Sequence, residues 1–245
     1  SYAPFPKVEA LPKKDTIEEI IGINDEWELY EEESMDESYE ELNWRPKGWQ
    51  GSEGKSYEYY MKRKFENRVK AKVDKRTKRL DSFIWFAEIE GETKLSEEQC
   101  LQIAAQFIQT YYPEYTPFLQ VELKGEDDIE ENRAFFRFVV QKDGLLVENE
   151  FFHMNISKIT GAILMLLTPN IAVDEIEKFE PKAIKPMKEL LPLVGLKVHV
   201  EWNKVYGKTE QDEKEIRLIY RIRTTDGAFV KGANAERGEV IYSLI

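Results

Sequence analysis

A turn that occurs three times at nearly equal spacing constrains the fold of this chain more than any other feature. Its clearest copy lies in residues 152–164, where apolar residues alternate with polar ones before Thr160-Gly161 and an apolar run resumes after it. Alternation with a period of two is typical of strands, and glycine supplies the positive φ that a tight turn needs. The stretch therefore predicts strand, tight turn, strand, with alternating apolar residues Phe152, Met154 and Ile156.

Two weaker copies of this turn align with it. Asp74–Lys78 and Asn234–Gly238 match Ser157–Gly161, and the first residues of successive copies are 83 and 77 positions apart. A second turn repeats in the same way, because Asp143-Gly144 and Asp226-Gly227 are 83 positions apart. Two independent turns that recur at a similar period indicate a repeated structural unit. The sequence therefore predicts three diverged units of about eighty residues each.

We assign the three units to residues 1–90, 91–168 and 169–245. Each unit is predicted to be a helix followed by an antiparallel sheet. Capping-box spacing at Thr16 and Ser96, which are 80 positions apart, opens the helices of units one and two. In unit three, prolines break the helix into short pieces.

Outside these elements the sequence predicts an arm and two loops. Residues 1–14 are rich in proline and poor in apolar residues, which indicates an extended arm. Residues 45–56, with Pro46 and three glycines, are predicted to form a loop. Residues 125–132 are predicted to form an acidic loop.

Composition and charge exclude several classes of protein. Of the 245 residues, 42% are hydrophobic and 33% are charged, which fits a globular protein rather than a disordered one. The longest apolar run, Ala162–Leu167, is far shorter than the roughly 20 residues of a membrane-spanning helix. A formal net charge of −12 argues against nucleic acid or an anionic membrane as the main partner, because phosphate binding requires a cationic surface. One cysteine excludes an internal disulfide.

The repeated turn carries a resemblance to a known family. Its form is Asp-x-x-Thr-Gly, and the copies depart from that form at Lys78 in unit one, at Ser157 in unit two, and at Asn234 and Arg237 in unit three. An opening helix and a strand that ends in this turn resemble the YcdB/YcdC repeated domain. That domain is similar to the PepSY domains found in peptidase propeptides and in small extracytoplasmic proteins.

The resemblance covers nearly the whole chain and implies a fold. That fold is α+β, with tandem PepSY-like, cystatin-like units in which a helix packs on a curved antiparallel sheet. The resemblance implies no chemistry, because the shared residues build a turn: Asp, Asn or Ser accepts backbone hydrogen bonds and glycine takes the left-handed position. It also implies an extracytoplasmic location, whereas the lack of a signal-peptide pattern at Ser1–Pro6 predicts the cytoplasm if the chain is complete.

The sequence contains no catalytic or metal-binding signature. His153 and His199 lie in strand patterns and have no zinc-binding spacing. Cys100 lies on the apolar face of its predicted helix, which favours a buried, inert thiol over a nucleophile. The acidic run 126–131 lacks the alternating oxygen spacing and central glycine of an EF-hand loop, so a solvated loop is favoured over a weak calcium site. We therefore predict no catalytic residue, no cofactor and no metal ion.

Charge in unit one is divided between two segments. Nine acidic and no basic residues lie in 26–41, whereas 62–79 contains ten basic residues against Glu66 and Asp74. Because both segments belong to one unit, neutralisation across neighbouring strands is favoured over a basic face that recruits an acidic partner. We therefore expect residues 28–41 and 68–72 to lie on adjacent strands of one sheet.

Aromatic residues around a glycine-rich loop are the predicted partner-binding site. Such residues on a loop suit contact with a peptide or a glycan. The alternative is that some of them close the end of the sheet. The five candidates are Trp44, Trp49, Tyr57, Tyr59 and Tyr60.

These observations predict a non-enzymatic α+β protein that binds or regulates a protein or peptide partner. The PepSY resemblance favours a peptidase as that partner. One alternative is a structural interaction protein that uses its acidic surface and an exposed sheet edge. A second alternative is a hydrolase that uses paired carboxylates. A cleft with a carboxylate pair of strongly raised pKa would favour the hydrolase, and a solid sheet without a cleft would favour the binding module.

Overall fold

Strands from the first two predicted units join in a single antiparallel sheet. In the part of the chain that the structure describes, this sheet has nine strands in the order β1-β6-β7-β8-β9-β5-β4-β3-β2. Strands β2 to β5 pair in chain order, and so do strands β6 to β9. Strand β5 pairs with β9 and thereby joins these two groups, and β1 pairs with β6 at one edge. The strands are β1 (Tyr2–Pro4), β2 (Trp27–Tyr30), β3 (Tyr39–Pro46), β4 (Arg68–Asp74), β5 (Leu80–Phe86), β6 (Leu119–Glu122), β7 (Arg133–Lys142), β8 (Leu145–Ser157) and β9 (Ile163–Leu167).

The chain divides into two compact units, residues 1–178 and 179–245. The nine-stranded sheet belongs to the first unit. The division into three repeats stays a prediction, and strands of repeats one and two lie in the same sheet. The computed structural model describes residues 1–30, 37–48, 68–86, 89–125, 129–180, 186–190, 197–205, 215–223, 230–235, 237 and 239–242.

The predicted capping residues Thr16 and Ser96 are the N-caps of the first two helices. Helix α1 (Ile17–Ile21) begins after Thr16, whose hydroxyl accepts the Glu19 amide, and ends at Gly22 in the left-handed conformation. Helix α2 (Glu97–Tyr111) begins with a complete capping box between Ser96 and Gln99. A 3₁₀ helix (Pro113–Phe118) and helix α3 (Val173–Glu177) complete the first unit.

The hydrophobic core lies between α2 and one face of the sheet. Cys100, Ala104 and Ile108 of α2 are fully buried, as the three-and-four spacing of its apolar residues requires. Phe152, Met154 and Ile156 of β8 are also fully buried, which confirms the alternation predicted for that strand. The fold is therefore α+β, with a large antiparallel sheet and few helices, as predicted.

The charged segments of repeat one lie in one sheet, and residues 39–41 of the acidic segment lie on the strand adjacent to residues 68–72, as predicted. Residues 31–36 of the acidic segment lie outside the described residues. Glu41 of β3 is directly opposite Lys72 of β4, and Lys70 Nζ lies 4.0 Å from Glu41 Oε2. Glu28 lies one strand further along, on β2, where it pairs with Arg45 at 2.8 Å. Cross-strand pairing therefore neutralises Glu28 and Glu41, whereas Lys75, Arg76 and Lys78 of the basic segment are exposed on the turn that follows β4.

Three boundaries differ from those predicted. Residues 2–4 of the predicted arm pair with β6 as an edge strand, where proline is tolerated because its missing N–H can face outward. Strand β3 continues through Pro46, which pairs with Trp27 opposite, so the predicted loop starts later. The strand predicted to begin near Phe152 begins at Leu145, directly after the Asp143-Gly144 turn, and includes Asn149 with φ of 62°.

The second compact unit contains a short helix and two antiparallel strand pairs among its described residues. Helix α4 is Met187–Leu190. Strand β10 (Lys197–Val205) pairs with β11 (Glu215–Arg223), and β12 (Val230–Ala233) pairs with β13 (Val240–Tyr242). The turn predicted at Asp226-Gly227 lies outside the described residues.

Candidate functional site

The three predicted copies of the turn share one hydrogen-bond pattern. We name them turn one (74–79), turn two (157–162) and turn three (234–239). In each, the amide of the first residue donates to the carbonyl of the sixth, at 2.9, 2.9 and 2.8 Å respectively. The side-chain oxygen of the first residue accepts amides within the turn. The first residues are Asp74, Ser157 and Asn234, so three different acceptors perform one structural role.

Turns one and two also agree in backbone conformation. Lys78 has φ of 59° and Gly161 has φ of 78°, so both lie in the left-handed region. This confirms that Lys78 occupies the position that glycine holds in the family's turn. A non-glycine residue there is strained by about 1 kcal/mol.

The two turns differ in what surrounds them. In turn two, Ser157, Lys158 and Ile159 are buried, and the amides of Lys94 and Leu95 donate to the Lys158 carbonyl. The segment that leads into α2 therefore lies across turn two. In turn one, residues 75–78 are all exposed.

Turn one forms one wall of a polar cleft of about 390 Å³. The start of β5, the 3₁₀ helix and the segment after β9 supply the other walls. All of these elements belong to the first compact unit. The polar and aromatic side chains that line the cleft include Asp74, Arg76, Thr77, Arg79, Asp81, Tyr112, Glu114, Tyr115, Thr168 and Asp174.

Arg79 is the most constrained cation of the cleft. Its guanidinium lies over the Tyr112 ring, with Cζ 4.4 Å from the ring centroid, and Nη2 donates to the Tyr111 carbonyl at 3.1 Å. The same nitrogen forms an ion pair with Glu114, and both side chains are a little over one third exposed. Stacking and hydrogen bonding thus fix the plane of the guanidinium at the cleft wall.

Asp81 is a half-buried carboxyl that is joined to Thr168. The Thr168 hydroxyl lies 2.7 Å from the Asp81 carbonyl and 3.0 Å from Asp81 Oδ1. Burial raises the pKa of Asp81, against the lowering effect of Thr168. A hydroxyl has a single proton, so Thr168 donates to only one of these two oxygens at a time.

Asp74 lies in the same cleft, and its pKa is shifted in the opposite direction to that of Asp81. The Thr77 amide, which donates to Asp74 Oδ1 at 2.7 Å, is the main cause that lowers the pKa of this carboxyl. The Arg76 amide donates to the same oxygen at 2.8 Å. The turn itself therefore holds Asp74 in the ionised form.

The two tyrosines of the cleft serve as structural anchors. The Tyr112 hydroxyl donates to the Leu80 carbonyl, and the Tyr115 hydroxyl donates to the Ile171 carbonyl at 2.7 Å. Burial raises the pKa of both hydroxyls. Each donor is therefore engaged with backbone, and each phenol stays protonated at neutral pH.

The aromatic loop predicted from the sequence is only partly within the described residues. Trp44 is 2% exposed and belongs to the core, so it presents no contact surface and is removed from the predicted set. Its position on β3, directly opposite Val69, explains the burial. Trp49, Tyr57, Tyr59 and Tyr60 lie outside the described residues, and their role stays a prediction.

The other residues considered from the sequence lie where their patterns indicated. His153 is on β8 and His199 on β10. Burial, with a smaller effect of Arg137, lowers the pKa of His153. Cys100 is buried, and that burial raises the pKa of its thiol, as an inert cysteine requires. The acidic loop prediction falls partly outside the described residues, at 126–128.

Two further observations concern metals and membranes. Within the described ranges, no group of three or more His, Cys, Asp or Glu side chains is arranged to hold a metal ion. No helix in those ranges has the length and apolar character needed to cross a membrane.

Sequence reasoning missed the cleft because its walls are distant in the chain. Turn one, the 3₁₀ helix and Thr168 are separated by tens of residues, and no local pattern joins them. One signal was available. In the aligned turns Arg76 replaces Ile159, and a charged residue in place of a large apolar one indicates that this position is exposed in turn one.

Helix α2 packed on a large antiparallel sheet defines this chain as an α+β protein. Residues 12–165 match the model of the YcdB, YcdC repeated domain. The chain therefore belongs to the YcdB/YcdC repeated-domain family, as the turn indicated.

Two relatives come from Bacillus subtilis strain 168. The uncharacterized protein YcdB is 21% identical over 98% of this chain and 50% of its own length. The uncharacterized protein YcdC is 26% identical over 66% of this chain and 35% of its own length. The chain thus spans half or less of the length of these relatives. Among solved structures, the Bacillus megaterium YpeB C-terminal domain aligns over 93% of this chain and 94% of its own, with 13% identity and a TM-score of 0.45.

Proposed function

We propose that the chain is a non-enzymatic binding module that takes a segment of a protein or peptide partner in the cleft beside turn one. The observation that carries this proposal is the exposure of turn one. The equivalent backbone in turn two lies beneath the segment before α2, whereas turn one presents charged side chains to a cleft of about 390 Å³. The turn that is buried as turn two is thus available for contact as turn one.

The size and chemistry of the cleft suit a short peptide segment. Its volume is near the lower end of the roughly 300–1,000 Å³ typical of small-ligand pockets, so it accommodates one or two side chains. Arg79 is held in place before any ligand arrives, which reduces the entropy lost on binding. A peptidase remains the partner class that the PepSY resemblance favours, and that preference is an analogy of fold.

A peptide-display selection against the folded chain tests the proposal. Enriched peptides are expected to lose binding to Arg79→Gln and to keep it with Arg45→Gln. The control is closely matched, because Arg45 is similarly exposed, pairs with Glu28 and stacks on a tyrosine, with Cζ 4.9 Å from the Tyr30 centroid. Equal binding of the selected peptides to both variants would exclude the cleft as the binding site.

A hydrolase is the second candidate, and one observation favours it. Asp81 and Asp74 share the cleft, and their pKa values are shifted in opposite directions, as in pairs that divide acid and base roles. However, Asp74 caps turn one as Ser157 and Asn234 cap the other two turns, which supports a structural role for it. Hydrolysis of any peptide or ester substrate by the wild type that Asp81→Asn abolishes would favour the hydrolase.

A further inference from the structure

Arg79 retains hydrogen-bond donors that the fold does not use. A guanidinium carries five N–H donors in one plane. Its interactions with the described residues engage Nη2, through the Tyr111 carbonyl and Glu114. Within that part of the chain, Nε and Nη1 have no hydrogen-bond partner. A guanidinium holds a carboxylate with two parallel donors, either Nε and Nη2 or Nη1 and Nη2, so an incoming carboxylate would use one of these free donors together with Nη2 once Glu114 leaves.

The surroundings of Arg79 add positive charge along turn one. Arg76 lines the cleft, and Lys75 and Lys78 are exposed on the same turn. The nearest acidic group on this wall, Asp74, directs one carboxylate oxygen at the turn amides. Of the carboxyls on the other walls, Asp81 is half-buried against Thr168, and Asp174 lies 4.0 Å from Lys178. The positive charge of the cleft therefore lies on turn one, whereas its other walls carry the carboxyls of Asp81, Glu114 and Asp174, the last of which is 72% exposed.

Glu114 already places a carboxylate against Arg79. It stands at the start of the 3₁₀ helix, and its side chain is 38% exposed, so solvent can reach the ion pair from the cleft. An exposed ion pair of this kind is weak and can exchange its acidic member. The internal Arg79–Glu114 pair thus shows which ligand the guanidinium accepts in this position.

We propose that the cleft recognises a carboxylate of the partner peptide through Arg79, and that Glu114 competes with it from within the chain. The carboxylate belongs to an acidic side chain or to the peptide's C-terminus. This inference rests on the proposed binding function and specifies its ligand. It requires that removing Arg79 and removing Glu114 have opposite effects on binding.

Four synthetic pentapeptides test the ligand chemistry. The first is acetyl-Gly-Ala-Glu-Ala-Gly-amide, and the second and third replace its central residue with Gln or Lys. The fourth is the Gln peptide with a free C-terminal carboxyl. Binding to the ¹⁵N-labelled chain is followed by NMR, at the Nε–Hε signal of Arg79 and the backbone amides of turn one. The Glu peptide and the free-carboxyl peptide are the two arms that separate a side-chain carboxylate from a C-terminal one.

We expect at least one carboxylate peptide to shift these signals, and the Gln amide and Lys peptides to leave them unchanged. Glu114→Gln should tighten carboxylate binding about two- to fivefold, as expected for loss of one exposed competing charge. Arg79→Gln should abolish the shifts. Glu28→Gln is the matched control, because the Glu28–Arg45 pair has nearly the same exposure as Glu114–Arg79, and it should leave binding unchanged.

The outcomes separate the two proposals. If only the Lys or the Gln amide peptide shifts the signals of turn one, carboxylate recognition is wrong, and the proposed binding function is still supported. Weaker or unchanged carboxylate binding in Glu114→Gln would overturn the competition. If none of the four peptides shifts turn one, carboxylate recognition fails, and the display selection then decides the binding function by itself. Arg79→Lys replaces Arg79→Gln if the latter fails to fold, and it should weaken binding because the planar donor pair is lost.

Discussion

Turn one and turn two have the same backbone conformation, but turn two is covered by another segment and turn one is exposed. Each closes with the same amide-to-carbonyl bond, each is capped by a side-chain oxygen, and each has a left-handed fifth residue. Turn two is covered by the segment before α2, and Ile159 and Lys158 are buried there. Turn one lacks such a cover in the described part of the chain, and Arg76 and Lys75 hold the equivalent positions in solvent.

The comparison shows that the two turns keep the same backbone conformation while their side chains differ in exposure and contacts. Backbone hydrogen bonds and one side-chain acceptor are sufficient to form the turn, so the remaining positions can change. Where the turn is covered, those positions carry residues that pack or pair. Where it is exposed, they carry charges that line a cleft. Substitutions at aligned positions of the two turns test this difference.

Lys158→Ala should be strongly destabilising, whereas the aligned Lys75→Ala should be nearly neutral. Lys158 is 5% exposed, and its Nζ lies 2.9 Å from Glu97 Oε2 and 2.5 Å from the Glu130 carbonyl. Removing it leaves the buried Glu97 Oε2 and the Glu130 carbonyl without Lys158, although Lys124 remains 3.3 Å from Glu97 Oε1, and should cost about 2–4 kcal/mol. Exposed Lys75 should change the free energy of unfolding by less than about 0.5 kcal/mol. Urea denaturation measures both, and similar values for the two lysines would refute the difference in cover.

Gly161→Ala and Lys78→Gly should change stability in opposite directions. An added Cβ at Gly161 is strained at φ of 78° and would lie 3.2 Å from Leu95 Cδ1 and 3.3 Å from Ile103 Cδ1. We expect a loss of about 1 kcal/mol or slightly more. Lys78→Gly relieves the same strain on an exposed turn and should be stabilising or neutral, despite the unfolded-chain entropy that glycine adds. Thermal unfolding tests the pair, and a clearly destabilised Lys78→Gly would contradict the equivalence of the turns.

Asp81→Asn and Asp74→Ser should reveal opposite pH dependences. The pKa of Asp81 is raised in the folded state, so the wild type loses stability relative to Asp81→Asn as pH rises from the unfolded value through the folded one. We expect Asp81→Asn to gain less than about 1 kcal/mol at neutral pH, since half exposure screens the charge. The pKa of Asp74 is lowered, so its contribution is present above the unfolded value and disappears as pH falls through the folded one.

Asp74→Ser places the capping residue of turn two in turn one, which keeps an acceptor and removes the charge. Stability measured between pH 2 and 7 for the wild type and both variants provides the test. An advantage of wild type over Asp74→Ser that grows on acidification would contradict the assigned sign, as would an advantage of wild type over Asp81→Asn that grows with rising pH.

Glu114→Gln should have the smallest effect on stability. The Arg79–Glu114 pair is exposed on both sides, so its loss should change the free energy of unfolding by less than about 0.5 kcal/mol. Glu28→Gln should behave alike. Chemical denaturation of both variants checks this. A loss above about 1 kcal/mol for Glu114→Gln alone would mean that the pair supports the fold rather than competes for a ligand.

The local elements of this protein follow from short stretches of its sequence. The caps at Thr16 and Ser96, the alternation in 152–156 and the left-handed position of Lys78 all follow from neighbouring residues, because hydrogen bonds within a few positions fix these conformations. The adjacency of the acidic and basic strands also followed, since consecutive antiparallel strands pair as hairpins.

Contacts between distant parts of the chain determine which turn is covered and what lies beside the exposed turn. Residues 2–4 became an edge strand by pairing with β6, more than a hundred positions away, and Trp44 was buried by strands on both sides of it. The cleft brings Arg79, Glu114 and Thr168 together from separate parts of the chain. Such contacts depend on the burial of whole surfaces rather than on local conformation, so no short stretch of sequence specifies them.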